Sequence, residues 1–323
     1  MDLILASSGG REERVLFDDF DFEVGTGNTF QITMNYATFK NDIVKGKRIY
    51  IPDTEYGGII KGIESATNTN QIYVKGYTWR GYLMRHIIVP PSGSDYYIAS
   101  GELNDIIRAL VTVPGFNVST ASTGVSVNYQ FARYVDVDTG LKAMLRTVGY
   151  RLDIKYIQTQ NGGNVLVQAV PAGSYGDKVE YSQDSMIDFA SSDDEMGVNH
   201  LICLGIGELK NRTVLHLYTD RNGAISQTQS IFGLDEFTEV YDNPGAEADT
   251  LLESGKERLR TVRSSNTFTA EIKNNIEQEL YIGDIISGRD YITGNAVTKP
   301  IASKIVKREN GIISHEYKIE GQT

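Results

Sequence analysis

The side chains that could do chemistry are few and scattered along this sequence. The four histidines are His86, His200, His216 and His315, and none lies in a His-Glu-x-x-His pattern or at another metal-ligand spacing. His200 and His216 lie in apolar stretches typical of strands, where a histidine is more often a structural residue than a ligand or base. The sequence therefore predicts no metal site built on histidine.

An acidic run, Asp193-Asp194-Glu195, could bind calcium or supply a catalytic carboxylate. It lacks the ordered ligand spacing of a calcium loop and follows two serines, which favours a solvated loop. Cys203 is the single cysteine and lies in an apolar run, which predicts a buried, unreactive thiol and excludes an intrachain disulfide.

The sequence also lacks the motifs of two common classes of catalytic or cofactor-binding site. The sequence has no Gly-x-Ser-x-Gly elbow, and Gly205-Ile206-Gly207 lacks the third glycine and the following helix of a dinucleotide site. We therefore expect no catalytic residue, no cofactor and no metal, and a protein that is not an enzyme.

The amino-acid composition favours strands and argues against nucleic acid and membranes as binding partners. The 323 residues include 19 tyrosines, 32 glycines and only 7 prolines, a mix typical of strands and turns. A net charge of −11 speaks against tight binding of nucleic acid or an anionic membrane. No apolar stretch approaches the roughly 18 residues of a membrane span, so no membrane insertion is expected.

Residues 1–83 read as strands with one acidic face. Asp19, Asp21 and Glu23 alternate with apolar residues, which places the three carboxylates on one side of a strand. Like charges so arranged repel, so that side should meet water. It is either an outer surface or the acidic wall of a channel.

The middle of the chain, residues 84–180, reads as a small α+β domain. Ser100 is placed to cap one amphipathic helix and Asp138 a second, and a hairpin turn follows at 161–163. Strand character returns over 181–323, interrupted by one long helix near 245–263.

A motif near the N-terminus recurs near the C-terminus. Gly46 to Gly57 and Gly283 to Gly294 both read glycine, a short apolar run, aspartate, a turn and glycine at the same spacing. Two further strand-like runs follow each copy. We therefore predict a mainly β protein with an α+β insert. Two related β-barrel domains, 1–83 and 181–323, flank and pack with the insert at 84–180.

The block from Lys75 to Pro91 runs from a strand through Gly76-Tyr77-Thr78-Trp79-Arg80 into a short segment ending at two prolines. Its aromatic and basic residues could stack on a base or sugar. A packed structural corner formed by Trp79, Arg80 and Arg85 is the better interpretation. This block and the C-terminal copy of the motif resemble the tail-hub proteins of siphophages. That family is similar to the central hub of contractile-phage baseplates and to the base of type VI secretion spikes.

The resemblance implies a structural virion protein. It implies a homotrimer whose six related barrels form a pseudo-hexameric ring at the distal end of the tail tube. The implied partners are a distal tail protein or tail-tube hexamer above, the tape-measure protein, and tail-tip, spike or receptor-binding proteins. Genome DNA would pass through without specific binding, with Asp19, Asp21 and Glu23 as candidate lumen residues. Assembly would take place in the cytoplasm of the host bacterium.

Two alternatives stay open at this point. The tyrosines and Trp79 also fit a tail-tip protein that binds a host glycan or receptor. A tail-associated peptidoglycan hydrolase would have to use the carboxylates at 193–195. Because the chain ends directly after its last predicted strand, we expect a hub without a fused lysin.

Overall fold

The computed structural model describes residues 1–159, 162–175, 187–194, 197–221, 223–263, 265–273, 280–289 and 296–319. The chain is mainly β, with four α-helices in the described residues. The helices are α1 (Trp79–Leu83), α2 (Leu103–Leu110), α3 (Val137–Arg146) and α4 (Ala248–Val262). The last of these lies within the range predicted for the long helix.

The strands fall into three stretches along the chain. The first seven are β1 (Leu3–Ala6), β2 (Glu12–Leu16), β3 (Asp19–Val24), β4 (Thr29–Asn35), β5 (Arg48–Tyr50), β6 (Gly57–Ala66) and β7 (Gln71–Thr78). The next five are β8 (Ile98–Glu102), β9 (Phe116–Val118), β10 (Ser126–Gln130), β11 (Tyr150–Thr159) and β12 (Gly162–Pro171). The remaining nine are β13 (Ile187–Asp194), β14 (His200–Leu204), β15 (Val214–Thr219), β16 (Ile225–Ser226), β17 (Thr238–Asp242), β18 (Ser265–Lys273), β19 (Ile285–Arg289), β20 (Ala296–Glu309) and β21 (Ile312–Ile319).

The chain divides into two compact units, the first comprising Met1–Asp188 and Ala270–Glu320 and the second Phe189–Thr269 and Gly321–Thr323. The longest sheet among the described residues brings together strands from the two ends of the sequence. The strand path runs β13-β18-β21-β20-β3-β4-β7-β6-β5-β1-β2, and β19 pairs with β20 beside it. The join is between β3 and β20, where Phe22 lies opposite Val306. One apolar core therefore contains side chains from both ends of the chain.

The predicted α+β segment lies within the first unit. Strands β11 and β12 form a long antiparallel hairpin, β9 adds to β12 in parallel, and β8 pairs with β10. The apolar faces of α2 and α3 pack on this hairpin in a shared core.

The caps of these two helices differ from the sequence prediction. Glu102, not Ser100, caps α2, because its carboxylate accepts hydrogen bonds from the first-turn amides of Asn104 and Asp105. Asp136, not Asp138, caps α3 by accepting from the Thr139 amide. Asp138 lies within the first turn and is buried, which gives its carboxylate a different role.

The second unit is a small sheet packed on one helix. Its strand order is β16-β15-β14-β17, with β14 and β17 parallel. Helix α4 presents Leu251, Gly255 and Leu259 to this sheet, and they pack against Leu201, Cys203 and Leu217. The glycine on the buried stripe lets the helix backbone approach the sheet closely.

Among the described residues, no helix combines the length and apolar character needed to cross a bilayer.

Candidate assembly surface

The strands of the long sheet contain an internal repeat. In sheet order, the first copy is β3-β4-β7-β6-β5 and the second is β13-β18-β21-β20-β19. The order along the chain is also the same. Strands β3, β4, β5, β6 and β7 of the first copy correspond in turn to β13, β18, β19, β20 and β21 of the second. We call these two sets of five strands the N-terminal repeat and the C-terminal repeat.

The two copies of the glycine motif begin equivalent strands with the same backbone geometry. Gly46 and Gly283 both have φ of +92°, in the left-handed region that favours glycine. The Gly46 amide donates to the Ile60 carbonyl and the Gly283 amide to the Ile301 carbonyl, each at 2.9 Å. The residue after each glycine accepts a hydrogen bond in return. The Ile60 amide donates to the Lys47 carbonyl at 2.9 Å, and the Ile301 amide donates to the Asp284 carbonyl at 2.8 Å.

A bulge follows at the same place in both repeats. The pairing of β6 with β7 shifts register between Ile60 and Gly62, and that of β20 with β21 shifts between Ile301 and Ser303. A shared irregularity in the strand register is stronger evidence of a repeat than shared turn residues, because bulges are specific local features. The remainder of the second motif, 290–295, lies outside the described residues.

Matched substitutions test the geometry of the two glycines. We expect Gly46→Ala to cost about 1 kcal/mol, because an L-residue is strained at positive φ and no atom lies within 4 Å of the added Cβ. Gly283→Ala should cost about 2 kcal/mol, because its Cβ would also lie 2.9 Å from Cβ of Arg151. Urea unfolding of both variants measures the difference, and equal losses would show that the crowding at Gly283 is relieved without cost.

The three predicted acidic residues lie on the partly exposed side of β3, as the alternation indicates. Asp19 accepts a hydrogen bond from the Asn310 amide, and Asp21 lies 3.3 Å from the Lys307 ammonium. Glu23 accepts from Thr26 and from the Gly27 amide in the next turn. Each carboxylate therefore has a local partner.

This side of the sheet carries both signs of charge. Asp21 and Glu23 line an open groove of about 610 Å³ together with Lys61, Lys75 and Tyr77 from β6 and β7. Sequence alternation on β3 alone could not reveal the lysines, because they belong to neighbouring strands.

Arg80 lies at the centre of an ionic cluster, which we define as Arg80, Glu55, Asp138, Lys142 and Lys304. Its members are buried apart from Lys142, whose side chain is 31% exposed. The Arg80 guanidinium donates to Glu55 at 3.0 Å, to Asp138 at 3.1 Å and to the Leu152 carbonyl at 2.8 Å. The Lys142 ammonium lies 2.7 Å from Asp138, and that of Lys304 lies 3.7 Å from Glu55. Burial lowers the pKa of Arg80, but the two carboxylates outweigh it and raise the pKa, so the guanidinium keeps its charge.

The other two residues of the predicted corner have different environments. Trp79 is buried and stacks on Tyr156 with ring centroids 5.3 Å apart. Arg85 is exposed, and its guanidinium lies 3.9 Å from the ring centroid of Tyr77. Trp79 and Arg80 therefore hold α1 against the α+β segment, whereas Arg85 covers an aromatic ring at the surface.

The histidines of the second unit bond to one another. Nε2 of His200 lies 2.8 Å from Nδ1 of His216, and its Nδ1 lies 2.7 Å from the Glu236 carboxylate. Burial raises the pKa of the Cys203 thiol, which makes it a poor nucleophile at neutral pH. The described residues contain no cluster of metal-binding side chains. The side chains of Asp193 and Asp194, and Glu195 as a whole, lie outside the described part of the chain.

Comparison with solved structures identifies the fold over the full length of the chain. A 43 kDa tail protein of prophage MuSo2 from Shewanella oneidensis matches with a TM-score of 0.57 at 13% identity, covering 100% of this chain and 99% of that one. A tail protein from Neisseria meningitidis matches with a TM-score of 0.51 at 12% identity, covering 98% and 95%. A chain of the phage P2 baseplate in its activated conformation with calcium matches with a TM-score of 0.52 at 10% identity, covering 98% of both chains.

The chain has the fold of phage tail and baseplate proteins. No protein-family model matches its sequence, and no curated protein sequence matches it significantly. The tail and baseplate fold is therefore recognised from the arrangement of strands and helices, at identities too low to carry over individual residues.

Proposed function

We propose that this chain is a structural virion protein, the hub at the distal end of a phage tail tube. Three copies would form a ring in which six related barrel-type modules face the hexameric tube. The modules are the two predicted domains, 1–83 and 181–323, around the α+β insert at 84–180. The protein would have no enzymatic activity and would be located in the virion.

The internal repeat is the observation that carries this proposal. Five strands recur with the same order, the same glycine-led start and the same bulge. Two copies of one module in each chain allow a trimer to present six similar surfaces, which resolves the mismatch between three chains and a six-fold tube. The full-length fold match to tail and baseplate proteins supports the same assignment.

The partners proposed for the hub follow from its place in the tail. A distal tail protein or tube hexamer would contact one side of the ring, and tail-tip, spike or receptor-binding proteins the other, with the tape-measure protein ending at the hub. Genome DNA would pass through without specific binding, which suits a chain of net charge −11.

Antibody labelling of particles tests the proposed location. Antibodies raised against the purified chain should bind the distal end of the tail in electron micrographs of intact particles. A reconstruction of the tail tip should then show density for three copies around the axis. Labelling confined to the head, or absence of the chain from purified particles, would contradict the proposed function.

The lumen hypothesis makes a separate prediction about Asp21. We expect Asp21→Lys to slow DNA ejection a few-fold while particles still assemble, because a positive charge on the channel wall would attract phosphates. The variant also places an added ammonium group beside that of Lys307. Asp21→Asn is therefore the matched control, because it loses the ion pair without introducing a positive charge. Ejection measured by dye uptake into released DNA should be unchanged in the control, and equal rates in both variants would place Asp21 outside the lumen.

A further inference from the structure

The sheet of the second unit has two faces, and α4 covers only one of them. Directly opposite residues of neighbouring strands point to the same side, so the pairs Leu201–Leu217 and Cys203–Leu215 mark the covered face. The residues that alternate with them point to the other side. We call that side the outer face of the second unit, and its residues are His200, Ile202, Leu204, Val214, His216, Tyr218, Thr238, Val240 and Asp242.

The outer face is apolar at its centre and open to solvent. Ile202 on β14 lies beside Val240 on β17, and Leu204 lies opposite Val214 on β15. Val240 is 56% exposed and Val214 is 44% exposed. A sheet with one face in water normally alternates apolar and polar residues along each strand, so that the wet face is polar. The outer face departs from that pattern, which indicates that another surface covers it.

Two further features of these strands are typical of a covered sheet. Strands β14 and β17 are parallel, and parallel pairs usually have both faces buried. Strands β14, β15, β16 and β17 contain no lysine or arginine, although charged side chains, above all lysine, are what protects exposed sheet edges from association. Strand β17 is nevertheless an end strand of this sheet. The outer face therefore lacks the usual protection against a partner.

Acidic groups flank the apolar centre along β17. Glu236 lies just before β17 and bonds to His200, whereas Asp242 ends the strand and forms an ion pair with Arg212. Their side chains are 29% and 57% exposed. A carboxylate has about four acceptor positions, so both groups can accept a further donor. Along an extended chain the two carboxylates are about 20 Å apart.

The charge of the second unit selects the kind of partner. Residues 189–269 contain thirteen acidic and seven basic side chains. This excess repels nucleic acid, an anionic lipid surface and the same face of a second copy. It attracts a protein surface that carries basic side chains around apolar ones. The occupant that fits is therefore a segment of another protein with apolar side chains between two basic positions.

The place of the second unit in the chain sets how many outer faces a hub carries. In the N-terminal repeat, β3 and β4 are joined by a short turn, Gly25 to Asn28. Their counterparts β13 and β18 are joined instead through the second unit. Among the described parts of the chain, only the C-terminal repeat carries an inserted sheet at this connection. Each chain therefore has one outer face for its two repeats.

We propose that the outer face of the second unit binds an amphipathic segment of a different tail protein, one copy per hub chain. Apolar side chains of that segment cover Val214 and Val240, and basic side chains about 20 Å apart reach Glu236 and Asp242. The inference rests on the proposed hub function and adds a partner site to it. In a ring of six modules, the partner occupies three sites related by threefold symmetry, separate from the surfaces that face the tube.

Photo-cross-linking in assembled particles tests this site. The photoreactive residue p-benzoylphenylalanine replaces Val240, and the peptides that it captures are identified by mass spectrometry. The control carries the same residue at Thr250, which is exposed on α4, the helix on the other side of the sheet. We expect position 240 to capture one tail protein other than the hub, through a peptide with apolar residues between basic ones. Position 250 should not capture that peptide.

The possible outcomes separate this contact from the hub function. No cross-link from position 240, in particles whose tail tip is labelled by antibody, would overturn the partner site and leave the hub function standing. Capture of a second hub chain would also overturn it, because the occupant would be a copy of this protein. Equal capture from positions 240 and 250 would overturn the assignment to the outer face. Absence of the chain from particles would overturn both proposals.

A pair of lysine variants separates the contact from folding. Val240 is 56% exposed, so Val240→Lys should leave the chain folded, with unchanged circular dichroism. We expect the captured partner to fall about tenfold or more per hub chain in Val240→Lys particles, because the lysine would meet apolar and basic side chains. Thr250→Lys adds the same charge to the same unit away from the outer face and should retain the partner. Equal partner content in both variants would contradict the proposed contact.

Discussion

Arg80→Ala should lower the free energy of unfolding by about 3–5 kcal/mol, because it leaves two buried carboxylates without their main partner. Arg80 and Asp138 are 2% and 0% exposed, and Glu55 is 7% exposed, so the lost guanidinium leaves both carboxylates away from bulk water. The Leu152 carbonyl loses its hydrogen bond as well. Lys142 and Lys304 remain near the carboxylates and keep the loss from exceeding this range.

Trp79 gives this measurement a built-in probe. It is the only tryptophan of the chain, it is buried, and it directly precedes Arg80 in the sequence. Its fluorescence therefore reports unfolding of the unit that contains the ionic cluster. Urea unfolding followed at this signal should show a lower midpoint for Arg80→Ala with an unchanged slope.

Two control variants define what the loss means. Arg85→Ala removes an exposed arginine that contacts the Tyr77 ring and should cost less than about 1 kcal/mol. Arg80→Lys keeps the charge but cannot donate to three acceptors in fixed directions, so its stability should lie between wild type and Arg80→Ala. Equal stability of Arg80→Ala and Arg85→Ala would show that the buried cluster contributes no more than a surface contact.

The repeat is accessible from the sequence because its signals are local. A positive φ requires glycine at the start of β5 and β19, and Asn310-Gly311 supplies the two positive-φ residues of the hairpin between β20 and β21. Such preferences act within a few residues, so two segments with the same backbone geometry carry the same residue types at the same spacing. That is why two distant segments can be aligned from their residue types and spacing alone.

The pairing of β3 with β20 cannot be predicted in the same way. It joins residues nearly 300 positions apart, and strand periodicity states which side of a strand is apolar but not which strand lies beside it. The contacts of the ionic cluster cannot be predicted from the sequence for the same reason. Helix-start signals are local and point to Asp138 as a cap, whereas its real partner, Arg80, is brought to it by tertiary packing.

Gly255→Val should destabilise the second unit by about 3 kcal/mol through overpacking of its small core. A Cβ at Gly255 would lie 2.6 Å from Sγ of Cys203 and 2.9 Å from a methyl carbon of Leu217. Valine adds two further methyl groups at this point, so α4 must move away from β14 and β15. The unit has few other buried apolar side chains with which to absorb that shift.

Cys203 reports this opening directly, because it is the only cysteine and its thiol is buried against the substituted glycine. Labelling by a thiol reagent requires local opening, so a loss of about 3 kcal/mol corresponds to labelling about a hundredfold faster. Gly245→Val is the matched control, since no atom lies within 4 Å of its added Cβ, and its labelling rate should equal that of wild type. A slow rate in Gly255→Val would mean that the core accommodates valine by rearranging, and that the glycine is not needed for the close approach of helix and sheet. A fast rate would show that this single hydrogen side chain sets the distance at which α4 packs.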